Sequence, residues 1–267
     1  MIGVGIIGLG TVGTGAYKIL DEHGLLIKQK TGIDIRVVKC ADIDPDRPRD
    51  IVLKEGLLTN NAFEVIEDKD VDIVVELMGG IEPARSLIRH AIEQGKWVVT
   101  ANKALLAEKG DEIFKLAARK GTEIGFEASV CGGIPVIKAI RDGLVGNRIT
   151  YILGILNGTC NYILTKMTLE GMSFNRALED AQRLGFAESD PTLDIEGIDA
   201  AHKLCILVRL AFQYPAVMSD ITTGGISRID PIDIEFAREF GYRIKLLAVA
   251  KEDRGKGAGR HCFQERL

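Results

Sequence analysis

Val4-Gly5-Ile6-Ile7-Gly8-Leu9-Gly10-Thr11-Val12-Gly13 opens the chain and decides its fold class. The first four residues form an apolar run that reads as a strand. Gly8-x-Gly10-x-x-Gly13 follows it directly, and a helical pattern continues through Tyr17, Ile19 and Leu20. In a strand–turn–helix context each glycine has its own task. Gly8 permits the tight turn, Gly10 lets the backbone approach a pyrophosphate, and Gly13 lets the helix pack close to the strand. The helix N-terminus then offers N–H groups and a positive dipole end to phosphate. A glycine-rich turn that binds nothing is the bland reading, and this context disfavours it. An acid should close the second strand and hold the ribose hydroxyls. Asp42 stands there, after the β-like run Ile33 to Cys40; the long first helix sets it later than the usual roughly 20 residues on. An acid favours NAD, while Arg47 and Arg49 suit a 2′-phosphate, so NAD and NADP both stay open.

Outward from that stretch, β-like runs at Val71 to Leu77, Lys96 to Thr100 and Glu123 to Glu127 alternate with helical patterns. These patterns lie at Phe63 to Ile66, Pro83 to Gln94 and Lys109 to Arg119. Such alternation predicts an α/β, Rossmann-type doubly wound parallel sheet. Near Gly132-Gly133-Ile134-Pro135 the pattern changes. A helix to about Asp142, a strand at Thr150 to Leu156, helices near Tyr162 to Thr168 and Arg176 to Leu184, and a long helix at Ile195 to Phe212 predict an α+β domain. The expected division is a dinucleotide-binding domain over 1–130 and a substrate and dimerisation domain over 131–267.

Composition excludes other classes. With 46% hydrophobic and 27% charged residues in 267, the chain is ordinary globular material, so disorder and collagen-like repeats are out. A net charge of −4 leaves no basic footprint for nucleic acid. No apolar run reaches the roughly 18 residues of a membrane span, and no basic region precedes the first apolar stretch as in a signal peptide. The five cysteines are scattered with no Cys-x-x-Cys pair, which predicts reduced thiols and a cytoplasmic protein.

Two groups of residues carry chemistry. Glu188, Asp190, Asp194, Glu196 and Asp199 crowd one segment ahead of an apolar helix, which Asp194 is placed to cap. Asp199 and Lys203, four apart, share a helical face and can pair. A solvated loop with a surface ion pair is the plain alternative; an acid cluster beside a nucleotide fold suits a substrate that carries an ammonium group. Lys103, in Thr100-Ala101-Asn102-Lys103, falls at the carboxyl end of a sheet strand, where ligands sit in open α/β sheets.

At this point the chain resembles the homoserine dehydrogenase family. The motifs that carry the likeness are Gly8 to Gly13, Val75-Glu76-Leu77-Met78-Gly79-Gly80, Val99 to Leu105, Phe126 to Pro135, Asn157-Gly158-Thr159-Cys160-Asn161-Tyr162-Ile163-Leu164-Thr165 and the acidic segment 185–203. The resemblance implies NAD(P)-dependent interconversion of L-homoserine and L-aspartate 4-semialdehyde, feeding threonine, isoleucine and methionine synthesis. It implies cofactor contacts at Gly8, Leu9, Gly10, Thr11, Val12, Gly13 and Lys103. It puts substrate contacts at Glu188 and Asp194, with Asp199 facing the same amino acid. It implies Lys203 as proton donor, with Lys103 the other lysine at the reacting oxygen. A sodium ion would sit on main-chain carbonyls at Glu127, Val130, Gly132 and Ile134. A homodimer or homotetramer is expected. A cysteine-nucleophile semialdehyde dehydrogenase is the rival enzyme, with Cys131 its one candidate thiol, but none of the four histidines lies in a partnering motif.

The likeness runs to about residue 252. From Arg254 to Leu267 the sequence has neither strand alternation nor an apolar helical face. The expectation is therefore a non-family tail from about 253, mobile, on a substrate domain whose sheet is incomplete at its C-terminus. A chain so shortened is expected to keep the nucleotide fold, to aggregate and to be weakly active or inactive, the alternative being a non-catalytic NAD(P)-binding relative.

Overall fold

A computed structural model describes residues 1–252 and, as backbone, 260–266. The chain divides into two compact units, Met1–Ile134 and Pro135–Leu267. Their junction falls just beyond the expected division.

The first unit holds a six-stranded sheet: β1 (Ile2–Ile7), β2 (Ile35–Ala41), β3 (Leu58–Thr59), β4 (Ile73–Glu76), β5 (Trp97–Thr100) and β6 (Ile124–Gly125). The order is β3-β2-β1-β4-β5-β6, and every pairing is parallel. This is the Rossmann-type doubly wound arrangement: the order reverses beside β1, and the crevice at the strands' carboxyl ends is where such sheets bind ligands. Val4, Ile6, Leu9, Tyr17, Cys40 and Leu57 bury together around the first strand and helix Thr11–Glu22. Each fully buried aliphatic side chain of this kind contributes roughly 1.5–3 kcal/mol.

One helix starts earlier than its apolar pattern indicates. It runs Lys103–Lys120, not from about Lys109, because the Asn102 side chain accepts the Leu105 N–H at 3.1 Å and caps it. Lys103 is thereby the first helical residue, fixed immediately after β5.

The second unit holds a four-stranded sheet of β7 (Tyr151–Gly154), β8 (Ile221–Thr222), β9 (Leu246–Glu252) and β10 (Arg260–Arg266) in the order β7-β9-β10-β8. Helices Gly158–Glu170 and Phe174–Arg183 bury Ile163, Leu164, Met167, Ala177 and Ala181 in one core with Leu246 of β9. The strand β10 corrects the expectation for the end of the chain. Its backbone pairs antiparallel with Leu246–Glu252 and parallel with Ile221–Thr222. A ladder is made of main-chain N–H and C=O groups, so its pairing does not require the side chains to alternate between polar and apolar. The rest of the expected mobile tail, residues 253–259 and 267, lies outside the described residues.

Among the described residues no helix is long and apolar enough to cross a membrane.

Candidate active site

In the first unit the site is built on the glycine loop. Gly8 adopts φ +96°, and a Cβ there would stand 2.8 Å from the Leu77 backbone. A Cβ on Gly13 would lie 1.9 Å from the Gly8 carbonyl oxygen, so only glycine lets the helix close on the turn. Gly10 differs, because a Cβ there meets nothing within 4 Å. Protein does not fill the space above it, and no side chain caps the helix that starts at Thr11. Open space over bare first-turn N–H groups fits a pyrophosphate.

Asp42 stands at the end of β2, and both its oxygens are engaged. Oδ2 accepts the Leu9 N–H at 2.7 Å; Oδ1 accepts the Asp44 N–H at 3.0 Å and lies 3.3 Å from Arg49 Nη2. Burial opposes the charge, but the N–H groups of Asp44 and Leu9 and the Arg49 guanidinium outweigh it and hold the carboxyl below the usual carboxylate range. Arg49 itself is turned inward. Its Nη1 donates to the carbonyls of Pro45 and Arg47 at 2.9 and 2.8 Å, and its Nη2 to that of Asp44 at 2.5 Å. Of the two arginines that suit a 2′-phosphate, Arg47 stays exposed and Arg49 staples the loop.

A buried polar chain at the carboxyl ends of β4 and β5 went unread in the sequence. Glu76, with no exposed surface, accepts the Met78 N–H at 2.9 Å and the Thr100 hydroxyl at 2.6 Å. Thr100 Oγ1 accepts the Asn102 N–H, and Asn102 Nδ2 donates to Gly80 O at 2.6 Å. The chain ties the Met78–Gly80 turn to the start of the helix that carries Lys103.

The loop proposed for sodium follows β6. Glu127–Ser129 is one 3-10 turn, the Glu127 carbonyl accepts the Val130 N–H at 3.3 Å, and Gly133 takes φ +73° while Gly132 and Ile134 are exposed. Among the described residues no group of three or more His, Cys, Asp or Glu side chains could hold a metal; the sodium expectation concerns main-chain carbonyls.

In the second unit Lys203 Nζ donates to Asp199 Oδ2 at 2.6 Å and to the Leu156 carbonyl at 2.8 Å. Asp199 is buried, so the pair is no solvated surface bridge. Asp194 corrects its expected role. It lies within a short helix, Thr192–Ile195, and the long helix starts separately at Ile198 after Gly197 at φ +80°, without a side-chain cap. The Asp194 carboxylate turns to the Asn157–Thr159 turn: Oδ1 accepts Asn157 Nδ2 at 2.7 Å, and Oδ2 lies 3.1 Å from Thr159 Oγ1. The other N–H of Asn157 Nδ2 goes to Asp199 Oδ2 at 2.9 Å. Cys160 Sγ donates to the Asp194 carbonyl, and its thiol is pushed up to about 12 by burial and by Asp194, Asp199 and Glu196. Glu188 is exposed in the preceding loop, and its carboxylate has no hydrogen bond or ion pair among the described residues. The structure thus brings Asp194, Asp199 and Lys203 into one network, with Glu188 on the loop leading to it. Asn157 is a member that sequence reasoning missed.

These two halves define a dinucleotide-binding α/β protein with an appended α+β unit carrying an acid–lysine network. Residues 8–127 match the model of the homoserine dehydrogenase NAD binding domain, and residues 135–262 match that of homoserine dehydrogenase. The chain belongs to the homoserine dehydrogenase family. The second match runs past residue 253, where the likeness was expected to end. Homoserine dehydrogenase of Neisseria gonorrhoeae is 48% identical over 256 residues, 96% of this chain and 58% of that protein. A solved homoserine dehydrogenase from Thiobacillus denitrificans superposes with TM-score 0.93 at 49% identity, over 100% of this chain and 61% of that one. A hyperthermophilic archaeal homoserine dehydrogenase solved in complex with NADPH has TM-score 0.79 at 25% identity, over 100% of this chain and 81% of that one.

Proposed function

We propose that the chain interconverts L-homoserine and L-aspartate 4-semialdehyde by hydride transfer with NAD(P), and that Lys203 moves the proton. The observation that carries this reading is the Lys203–Asp199 pair in a chain of this family. An ammonium has three N–H groups. Two are held by Asp199 and Leu156, and the third has no acceptor among the described residues, which leaves it for a substrate oxygen. Oxidising the alcohol takes a hydride from carbon and a proton from oxygen; reducing the aldehyde returns both. NAD(P), when bound, supplies the hydride acceptor or donor. Lys203 gives its proton to the oxygen as the aldehyde is reduced and recovers it in the reverse direction, with Asp199 stabilising the ammonium.

In this reading exposed Glu188 takes the substrate ammonium and Asp194 lines the same pocket. Gly8 to Gly13 hold the pyrophosphate, and Lys103 is a cationic contact to the dinucleotide. Asp42 favours NAD over NADP, since its carboxylate would oppose a 2′-phosphate and Arg49 is committed to the loop. The carbonyls of Glu127, Val130, Gly132 and Ile134 are oxygen donors of the kind a hard cation such as sodium takes. The reading extends to a homodimer or homotetramer in the cytoplasm, supported by exposed Tyr151 and Leu153 along one face of β7.

The test is a spectrophotometric assay of the purified protein with homoserine and each of NAD and NADP. Homoserine-dependent reduction of either supports the proposal; its absence with both overturns it.

A further inference from the structure

We infer that Asn157 is a positioning residue of this site: its amide clamps the carboxylates of Asp194 and Asp199 together and thereby aims Lys203. The inference rests on the proposed function and deepens it. Asn157 is buried, 3% exposed, and each of its polar groups is spent. Its Oδ1 accepts the Cys160 N–H at 2.7 Å and so starts helix Gly158–Glu170. Its two N–H groups go to Asp194 at 2.7 Å and Asp199 at 2.9 Å, residues that come from two different helices.

The physical need for such a group is plain. Two carboxylates drawn together without a donor between them repel, and in a low-dielectric site the repulsion is strong. A neutral amide with two N–H groups relieves it without adding a cation that would compete with Lys203 for Asp199. The Asp199 oxygen that accepts from Asn157 is Oδ2, the same one that holds Lys203. Its direction, and hence that of the lysine, is therefore set from two sides. Cys160 Sγ donates to the Asp194 carbonyl from the same turn, so with Asn157 one short segment fixes that residue by side chain and carbonyl.

Two substitutions separate this role from helix capping. Serine and aspartate both serve as helix N-caps, so Asn157→Ser and Asn157→Asp keep the start of the helix. Serine removes the clamp; aspartate replaces it with a third negative charge. Asn157→Ser is expected to lower kcat/KM for homoserine roughly 10- to 100-fold, chiefly in kcat, as lost hydrogen bonds to charged groups imply. Asn157→Asp should fall further, with the thermal midpoint of Asn157→Ser near that of the parent. The discriminating readout is coupling. In an Asp199→Ala background, Asn157→Ser should cost less than about threefold, because the group it acts through is gone. Wild-type kcat/KM in Asn157→Ser, or losses that multiply fully in the double variant, would overturn the clamp alone. A parent protein that neither binds homoserine by calorimetry nor turns it over overturns the functional reading, and the clamp with it.

Discussion

The carboxylate of Asp42 accepts the main-chain N–H of Leu9 at 2.7 Å, so the residue that ends β2 grips the glycine loop that follows β1. The same carboxylate meets Arg49 in the loop beyond. One side chain therefore braces two walls of the dinucleotide crevice.

That brace makes the first unit sensitive to acid. Asp42 has a folded pKa held below its ordinary value. A group of this kind contributes stability that is fully present above its unfolded pKa of about 3.9 and is lost as pH falls through the folded value. Asp42→Asn should be less stable than the parent at neutral pH, with the gap narrowing as the pH drops below about 4. Urea unfolding at several pH values measures it; a gap independent of pH would count against the brace.

Cofactor choice follows from the same residue. With Asp42 ionised and Arg49 turned inward, kcat/KM with NAD should exceed that with NADP by about tenfold or more, equal to ~1.4 kcal/mol. Asp42→Ala should shrink the ratio. A parent enzyme that prefers NADP would show that Arg47 or Arg49 swings onto the 2′-phosphate.

The glycines of the loop should separate by what they serve. Gly13→Ala drives a Cβ to 1.9 Å from Gly8 O and should lower stability by about 1–3 kcal/mol, as overpacking does. Gly10→Ala meets no protein atom within 4 Å, so the fold should persist while dinucleotide affinity falls. Thermal melts set beside cofactor titrations would reveal the contrast, and equal melting losses in both variants would refute it.

Lys203→Ala should lower kcat by roughly 10²–10⁴-fold, the usual weight of a proton-transfer group, and change KM much less. Steady-state kinetics decide it. A kcat close to that of the parent would move the proton to Lys103 or to water.

Glu188→Gln should weaken homoserine binding roughly tenfold, as the loss of one charge-assisted hydrogen bond implies. Cofactor affinity should be nearly intact, since the proposed dinucleotide contacts are the glycine loop and Lys103 and not Glu188. Calorimetric titration of each ligand distinguishes this from a general loss of structure, in which both affinities drop.

What the sequence made legible was local. The glycine turn, the strand–helix alternation and the Asp199–Lys203 spacing each depend on a few neighbouring residues. Their physics is that of backbone sterics and helical periodicity. Asn157 was not legible, because as text it is an ordinary N-cap asparagine; its two N–H groups reach partners 37 and 42 residues away. Glu76 likewise looks like any strand-end acid until the fold closes Thr100 over it. Asp194 misled because Gly197 takes a left-handed conformation and divides what reads as one helix start into two. The contacts of Arg49 were not legible for a related reason, since they are four groups within its own loop that only the folded chain gathers.

The position of β1 bears on how the molecule is made. It precedes the other strands of its sheet in sequence, yet it lies between β2 and β4, and its second partner ends at Glu76. As the polypeptide leaves the ribosome, Val4, Ile6 and Ile7 must wait, one edge unpaired, until Ile73–Glu76 has emerged behind them. No pairing in this sheet is a hairpin that could form early and shelter that edge, since every one is parallel and needs a crossover. The nascent chain thus passes through an interval in which a strand destined for burial is adhesive, and chaperone occupancy should peak there and fall once β4 docks.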